Sequence, residues 1–351
     1  MNEKKALYIV PAIDPAKEKI VIPDNDVKAF KIDFEKKKNT LKQYKNVEFF
    51  NLPQDGQIKP VFYIQLGGRL YFGFTPRLRL FYDHSIKDGF RQDKVEFDYA
   101  KSLFGCTGSD TSYKSKVSFS DAVLTKDSKK EFQNDKVILA EPKPSSYLDY
   151  LTQSGDSQNT YNSSGFTLRG VKQYWIRNTL AEKNNTVKNE AVYSPVKAIK
   201  QGAKFCGKVR FQNLTRDELG LLAWSIRLND GSWMNVGKAK AYGYGAISVS
   251  DLAIKTIDTK KAYDITALSL NPYRDENIDE LIREYKKTIN EKLQGRTPSN
   301  IDELRSVQDF FIMKDSRNMP EQKNIRYMSI DNREYQSRQG ALQKPADLVK
   351  K

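Results

Sequence analysis

Nine residues, Gly237–Gly245 (GKAKAYGYG), combine the types needed to hold a nucleic-acid strand. Gly237, Gly243 and Gly245 lack a Cβ, so backbone N–H groups can approach a phosphate closely. Lys238 and Lys240 supply charge, and Tyr242 and Tyr244 offer rings for base stacking, a combination suited to single-stranded RNA. The same residues also suit a turn with packed tyrosines before a strand, and the segment alone does not choose between the two. A second segment, Gly165–Asn178 (GFTLRGVKQYWIRN), interleaves Arg169, Lys172 and Arg177 with Tyr174 and Trp175, next to Gly170. On one short helix or loop this alternation makes a surface that tracks phosphates and stacks bases. The competing reading is a helix with a buried aromatic face. Arg77 and Arg79, in GFTPRLRLFYDHS, form a third basic spot that a solvated edge explains equally well.

Several chemistries are excluded by what the chain lacks. His84 is the only histidine, which removes Ser-His-Asp, Cys-His and His-ligated metal sites. Cys106 and Cys206 are the only cysteines, too few for a disulfide framework or a four-cysteine zinc site. No GxxxxGK[ST] occurs, and no GxGxxG opens a helix, so nucleotide-cofactor binding is not expected. Asp83, Asp88, Asp110 and Asp121 lie near the basic segments and could hold a divalent metal or assist RNA cleavage. An isolated Asp more often caps a turn. Asp83, Asp88 and His84 are therefore the weak catalytic candidates; no metal site and no cofactor is expected, apart from a divalent metal if target cleavage occurs.

Fifty-nine Lys and Arg against 44 Asp and Glu leave a net charge of +15 and a pI near 9.4. Such a balance attracts polyanions. The excess is concentrated: residues 161–250 hold 14 basic residues against five acids, whereas 271–311 is close to balanced. That distribution favours a nucleic-acid groove over general solubility. No apolar run is long enough to span a bilayer, and Pro11 and Asp14 interrupt any signal-peptide core. A cytoplasmic protein without membrane contact is expected.

The elements that must position these residues form an α+β pattern. Residues 1–60 read as a leader with extended stretches at Ala6–Val10 and Lys19–Ile22, then a lysine-rich segment of no clear fold. Val61–Leu66 and Arg69–Phe74 form a hairpin about Gly67-Gly68. A short helix ends at Leu103-Phe104-Gly105, and Ser115–Leu124 alternates as a strand with one irregularity near Asp121. Stretches 153–165 and 182–190 are loops. Phe205–Phe211 is a strand, and Thr215–Glu218 is a capping box opening an amphipathic helix that must pack on a sheet. Ala246–Ile254 is a further strand. Strand, helix, glycine-rich loop and strand make half of a ferredoxin-like unit. Helices at Ile278–Ile289 and Ile301–Met313 are expected as satellites over a sheet face, before a polar tail. The division expected is 1–60, a leader or interaction segment; 61–255, the core; and 256–351, a helical extension and tail.

In order along the chain, PVFYI (60–64), YFGFTPRLRLFYDHSI (71–86), SLFG (102–105), KVSFSDA (116–122), EPKPSSYLDYL (141–151), TLRGVKQYW (167–175), FCGKVRFQNLTRDELGLLAWSI (205–226) and GKAKAYGYG (237–245) resemble the RAMP superfamily of type III CRISPR-associated proteins. They are similar to the C-terminal part of a large family with two RRM-like halves. The resemblance implies a ferredoxin-like, RRM-like core, an antiparallel sheet with packed helices, inserted hairpins and satellite helices. It implies an RNA-binding backbone subunit of a ribonucleoprotein for antiviral defence. Its partners would be guide RNA, single-stranded target RNA and other RAMP-type subunits. Gly243, Gly245 and Lys238 match the family's glycine-rich loop, and Arg169 with Gly170 matches its Leu-Arg-Gly segment. Asp121 matches a strand-motif Asp implied to serve structure. The alternative the resemblance leaves open is an endoribonuclease that processes guide RNA or cleaves target RNA through an Asp. Two departures stand out. The N-terminal RAMP half is not found, so a split-gene product is expected, and Trp233-Met234-Asn235 stands where relatives tend to have a His.

Overall fold

Pro23, Asp24 and Asp26 open α1 (Asp24–Leu41), with the amides of Asp26 and Val27 donating to the Pro23 carbonyl at 2.9 and 3.1 Å. Acids in a first turn face the positive end of the helix dipole. The structure, a computed structural model, describes residues 14–41, 47–66, 68–75, 78, 80–90, 97–108, 111–139, 141–153, 158–183, 190–266, 271–318, 320–328 and 341–349. Contacts group the chain into two compact units, Met1–Phe90 with Ser154–Leu168, and Arg91–Gln153 with Arg169–Lys351.

In the first unit α1 lies against the expected hairpin, β1 (Phe62–Leu66) and β2 (Arg69–Gly73), which turns through Gly68 at φ +76°. The Phe30 ring of α1 meets Phe72, Phe74 and Phe81 at 4.9, 5.7 and 6.4 Å. The Asp26 carboxylate, buried at 6% exposure, accepts from Arg69 Nε at 3.1 Å, Arg69 Nη2 at 3.0 Å and the Leu70 amide at 3.0 Å. A buried carboxylate needs such partners. α1 occupies the lysine-rich segment that had no clear fold, while 6–10 lies outside the described residues and 19–22 forms no strand.

The second unit begins with α2 (Tyr99–Phe104), capped by Asp98 and ended by Gly105, where the sequence places a short helix. β3 (Cys106–Thr107) pairs with β4 (Ser112–Tyr113). A long antiparallel ribbon follows in three ladders: β5 (Val117–Phe119) with β10 (Val209–Phe211), β6 (Val123–Leu124) with β9 (Phe205–Cys206), and β7 (Phe132–Ile138) with β8 (Tyr193–Ile199). The Ser120, Thr125 and Lys200 amides link the ladders through the carbonyls of Lys208, Lys204 and Glu131. Between Phe119↔Val209 and Val123↔Cys206 one strand spends three residues and the other two, a bulge at the irregularity read near Asp121. A short helix, α3 (Tyr147–Tyr150), lies in the segment between β7 and β8.

α4 (Arg216–Arg227) starts at the Thr215/Glu218 capping box, in which Thr215 N donates to Glu218 Oε2 at 2.9 Å. Leu222 packs on Val117 of the ribbon and Leu103 of α2. Leu219, Ala223 and Trp224 pack instead on Leu281, Ile282 and Tyr285 of α6 (Ile278–Lys292). The apolar stripe of α6 thus meets a helix rather than covering a sheet directly, because Gly220 leaves room for its backbone. An ideal Cβ there would stand 2.1 Å from the Leu281 carbonyl oxygen. β11 (Met234–Asn235) pairs with β12 (Ala246–Ile247), β13 (Lys255–Ile257) pairs with β14 (Tyr273–Asp275), and α5 (Thr259–Ala262) lies between these last two. The strand expected over 246–254 is therefore only its first two residues; Ile254 leaves the ladder to join the α4–α6 core. α7 (Arg305–Lys314) stacks Phe311 on Trp224 at 5.5 Å. The result is an α+β fold whose described strands pair as small antiparallel ladders.

Candidate RNA-binding surface

Residues 169–178 of the second basic segment and the glycine-rich loop come together within the second unit; Gly165–Leu168 belong to the first. Residues 170–178 run without regular secondary structure, so the segment is a loop and not a helix. The Ala181 amide donates to the Tyr242 carbonyl at 2.9 Å, and Ile176 N donates to Met313 O at 3.1 Å. Gly245, at φ +74°, brings its backbone onto Val236: Val236 N donates to Gly245 O at 2.8 Å, and an added Cβ would stand 1.8 Å from Val236 O. Only glycine fits that approach.

The two tyrosines of the loop are interior. Tyr242, at 4% exposure, donates its hydroxyl to Ile138 O at 3.0 Å and stacks on Tyr327 at 4.8 Å; burial pushes its pKa up to about 12. Tyr244 donates to Asp135 Oδ2 at 2.6 Å. Burial opposes ionisation of Asp135, but its hydrogen bonds from Lys183 and Tyr244 outweigh this and hold it below the usual carboxylate range. Both rings join Val137, Val196, Ala181 and Ala239 in one apolar cluster. Base stacking by Tyr242 and Tyr244, expected from their glycine-flanked positions, is corrected: β7 and β8 supply an apolar face that covers them. Arg177 is corrected likewise. It is buried, burial lowers its pKa, and its guanidinium donates to the Ile325 carbonyl.

Lys172, which is exposed, and Lys240, which is half-buried, are arranged differently. Lys172 and Lys240 place their ammonium groups 5.1 and 5.6 Å from the Tyr174 ring centroid. Lys240 also donates to Gly237 O at 2.6 Å, and Lys238 donates to Pro195 O at 3.1 Å. Lys314, from the last turn of α7, donates to Tyr174 O at 3.0 Å and Asn235 Oδ1 at 2.6 Å, beneath the same tyrosine. Trp175 is half-buried and Gly170 exposed; Arg169 donates to the carbonyls of Leu342 and Gln343. Lys314 and Tyr327 carry no signal in the sequence, because one ends a helix as many lysines do and the other lies in a polar tail.

Asp83, His84 and Asp88 belong to the first unit, where the two carboxylates brace local structure. Asp83 accepts from Arg69 at 2.8 Å, and its amide donates to Asn162 at 2.8 Å. Asp88 caps a short turn by accepting from Ser85 N at 2.7 Å and Ser85 Oγ at 3.0 Å, which lowers its pKa. His84 lies 5.9 Å from the Phe166 ring. Asp121 sits in the ribbon bulge; Arg77, Arg79 and Asp110 lie outside the described residues. Among the described residues no group of three or more His, Cys, Asp or Glu could hold a metal ion, and no helix is long and apolar enough to cross a membrane.

The RAMP superfamily matches residues 27–248, well over half of the chain and all of the loop just described. The chain belongs to the RAMP superfamily. Membership makes this RAMP protein a CRISPR-associated RNA-binding module. No curated protein matches it.

Proposed function

We propose that this RAMP protein is a structural, RNA-binding subunit of a type III CRISPR-Cas effector complex. It grips guide RNA by its phosphates and helps position single-stranded target RNA, alongside other RAMP-type subunits in the cytoplasm. The observation that carries this reading is the convergence of Lys172 and Lys240 on Tyr174, from segments far apart in sequence, over the buried Lys314. Neither Lys172 nor Lys240 makes an ion pair among the described residues, so an incoming polyanion meets uncompensated charge. Lysines hold phosphates without reading bases; sequence is then read by pairing with the guide. The carboxylates of Asp83 and Asp88 are engaged in a brace and a turn, which supports holding over cutting. The order β10, α4, β11, glycine-rich loop, β12 supports a ferredoxin-like core.

The test is to express the chain with its genomic neighbours and a repeat–spacer array, purify it through moderate salt and sequence the nucleic acid retained. Guide RNA of uniform length is the expected result. A folded, assembled sample without RNA overturns the proposal.

A further inference from the structure

β7 and β8 pair over Phe132–Ile138 and Tyr193–Ile199, and the two-residue period sorts their side chains onto two faces. One face, with Asp135, Val137 and Val196, is covered by Tyr242 and Tyr244 of the glycine-rich loop. The other carries Phe132, Asn134, Lys136 and the buried Ile138 from β7, and Tyr193, Pro195, Lys197 and Ile199 from β8. The register sets their order: Phe132 opposes Ile199, Asn134 opposes Lys197, and Ile138 opposes Tyr193. Aromatic rings therefore stand near the two ends of the ladder, with Lys136 and Lys197 between them.

Each ring has lysine at hand. Lys197 and Lys130 lie 4.7 and 6.0 Å from the Phe132 centroid, and Lys136 lies 4.8 Å from that of Tyr193. Phe132 and Ile199 are 37% and 42% exposed. Phe132 and Ile199 are cross-strand partners, so their exposed groups form one contiguous apolar spot at this end of the ladder, beside Lys197. Glu190 pairs with Lys136 at 2.8 Å, whereas Lys130 and Lys197 make no ion pair among the described residues. Lys136 and Lys197 stand one row apart, about 6.6 Å along the strand, a step that neighbouring phosphates of an extended chain can bridge. Lysine is depleted in protein–protein interfaces, whereas aromatic rings beside cations are what single-stranded nucleic acid requires. Lys238 of the glycine-rich loop reaches the Pro195 carbonyl of β8 at 3.1 Å, so the loop borders this face.

We propose that the open β7–β8 face is a second RNA contact, which stacks bases of a single-stranded segment on Phe132 and Tyr193 and holds its phosphates with Lys130, Lys136 and Lys197. The proposal rests on the RNA-binding reading above and adds a base-stacking platform to its phosphate-holding loop.

The test uses the full chain and a mixed-sequence single-stranded RNA carrying 4-thiouridine, photocrosslinked and mapped by mass spectrometry, with affinities measured over a salt series. Crosslinks within 130–136 or 193–199 are expected. Phe132→Ala should weaken binding roughly five-fold or more with an unchanged salt slope, and Phe132→Trp should restore it. Lys197→Ala should lower the salt slope by about 0.7. Crosslinks confined to 169–178 and 237–245, with normal binding by Phe132→Ala, overturn the platform and leave RNA binding intact. A loss that Trp does not restore counts against stacking. A Phe132→Ala chain that binds RNA normally but drops a co-purifying subunit makes the face a protein-docking surface instead. Failure of the unaltered chain to bind RNA sinks the reading on which the platform rests, and the platform with it.

Discussion

Lys314 holds an ammonium group where only 4% of the residue meets solvent, pinned by the Tyr174 carbonyl and Asn235. Burial first, then the nearby charge of Lys240, pushes its pKa down to about 8. Below that pH both folded and unfolded chains carry the proton, and the folded state bears the cost of burying it. Above it, up to the ordinary lysine value, the unfolded chain keeps a proton that the folded chain has released. Stability from this residue therefore rises with pH across that window. Thermal unfolding of the native chain and of Lys314→Met from about pH 7 to about pH 10 should show the native chain gaining on the variant above about pH 8. Other groups, including Tyr242 and Tyr244, titrate in both proteins and cancel in the difference. A gap that stays constant with pH means that Lys314 does not change its ionisation on folding. At this scale the sequence is legible in type and not in burial. It marks Lys172 and Lys240 as cations near aromatic residues, which they are. It cannot show that Tyr242 faces inward, because the covering strands lie more than 40 residues away in the chain.

Secondary-structure elements are most legible where a local pattern decides them. The Thr215/Glu218 box, the turn at Gly68 and the slip of strand phase near Asp121 are each local, and each forms where the pattern places it. The β7–β8 ladder is not local. Pro195 cannot donate to a ladder and reads as a break, and the apolar face of the pair is completed by residues of the glycine-rich loop. The α4–α6 contact depends on one residue that helix propensity counts against. Replacing Gly220 by Ala gains about 1 kcal/mol of propensity. It also drives a methyl group to within 2.1 Å of the Leu281 carbonyl oxygen, with Tyr285 Cβ at 2.9 Å. Overpacking costs about 1–3 kcal/mol when side chains yield, and here the nearest obstacle is backbone. Gly220→Ala is expected to be net destabilising, lowering the midpoint of urea unfolding, whereas Ala at the exposed Ser225 of the same helix should be near neutral. A Gly220→Ala chain as stable as the native one means that α4 and α6 do not approach as closely as described.

The net charge of +15 acts over distances that no single contact reaches. Screening shortens that reach as salt rises, from about 30 Å at 0.01 M to about 8 Å at physiological ionic strength. On the proposed contact at Tyr174, charge far from it should mainly affect how fast RNA arrives, and Lys172 and Lys240 how long it stays. The two contributions separate in stopped-flow measurements with labelled single-stranded RNA. Association should slow by about tenfold or more as salt is raised from about 50 to about 200 mM. Reversing an exposed charge outside both proposed contacts, as in Lys260→Glu on α5, should lower the association rate and leave dissociation nearly unchanged. Lys240→Ala should do the opposite, speeding dissociation several-fold with a smaller effect on association. If both variants shift only the association rate, RNA is held by the diffuse field of the chain, and the cluster at Tyr174 is an ordinary part of a basic surface. If Lys240→Ala selectively speeds release, that cluster is where this RAMP protein grips its strand.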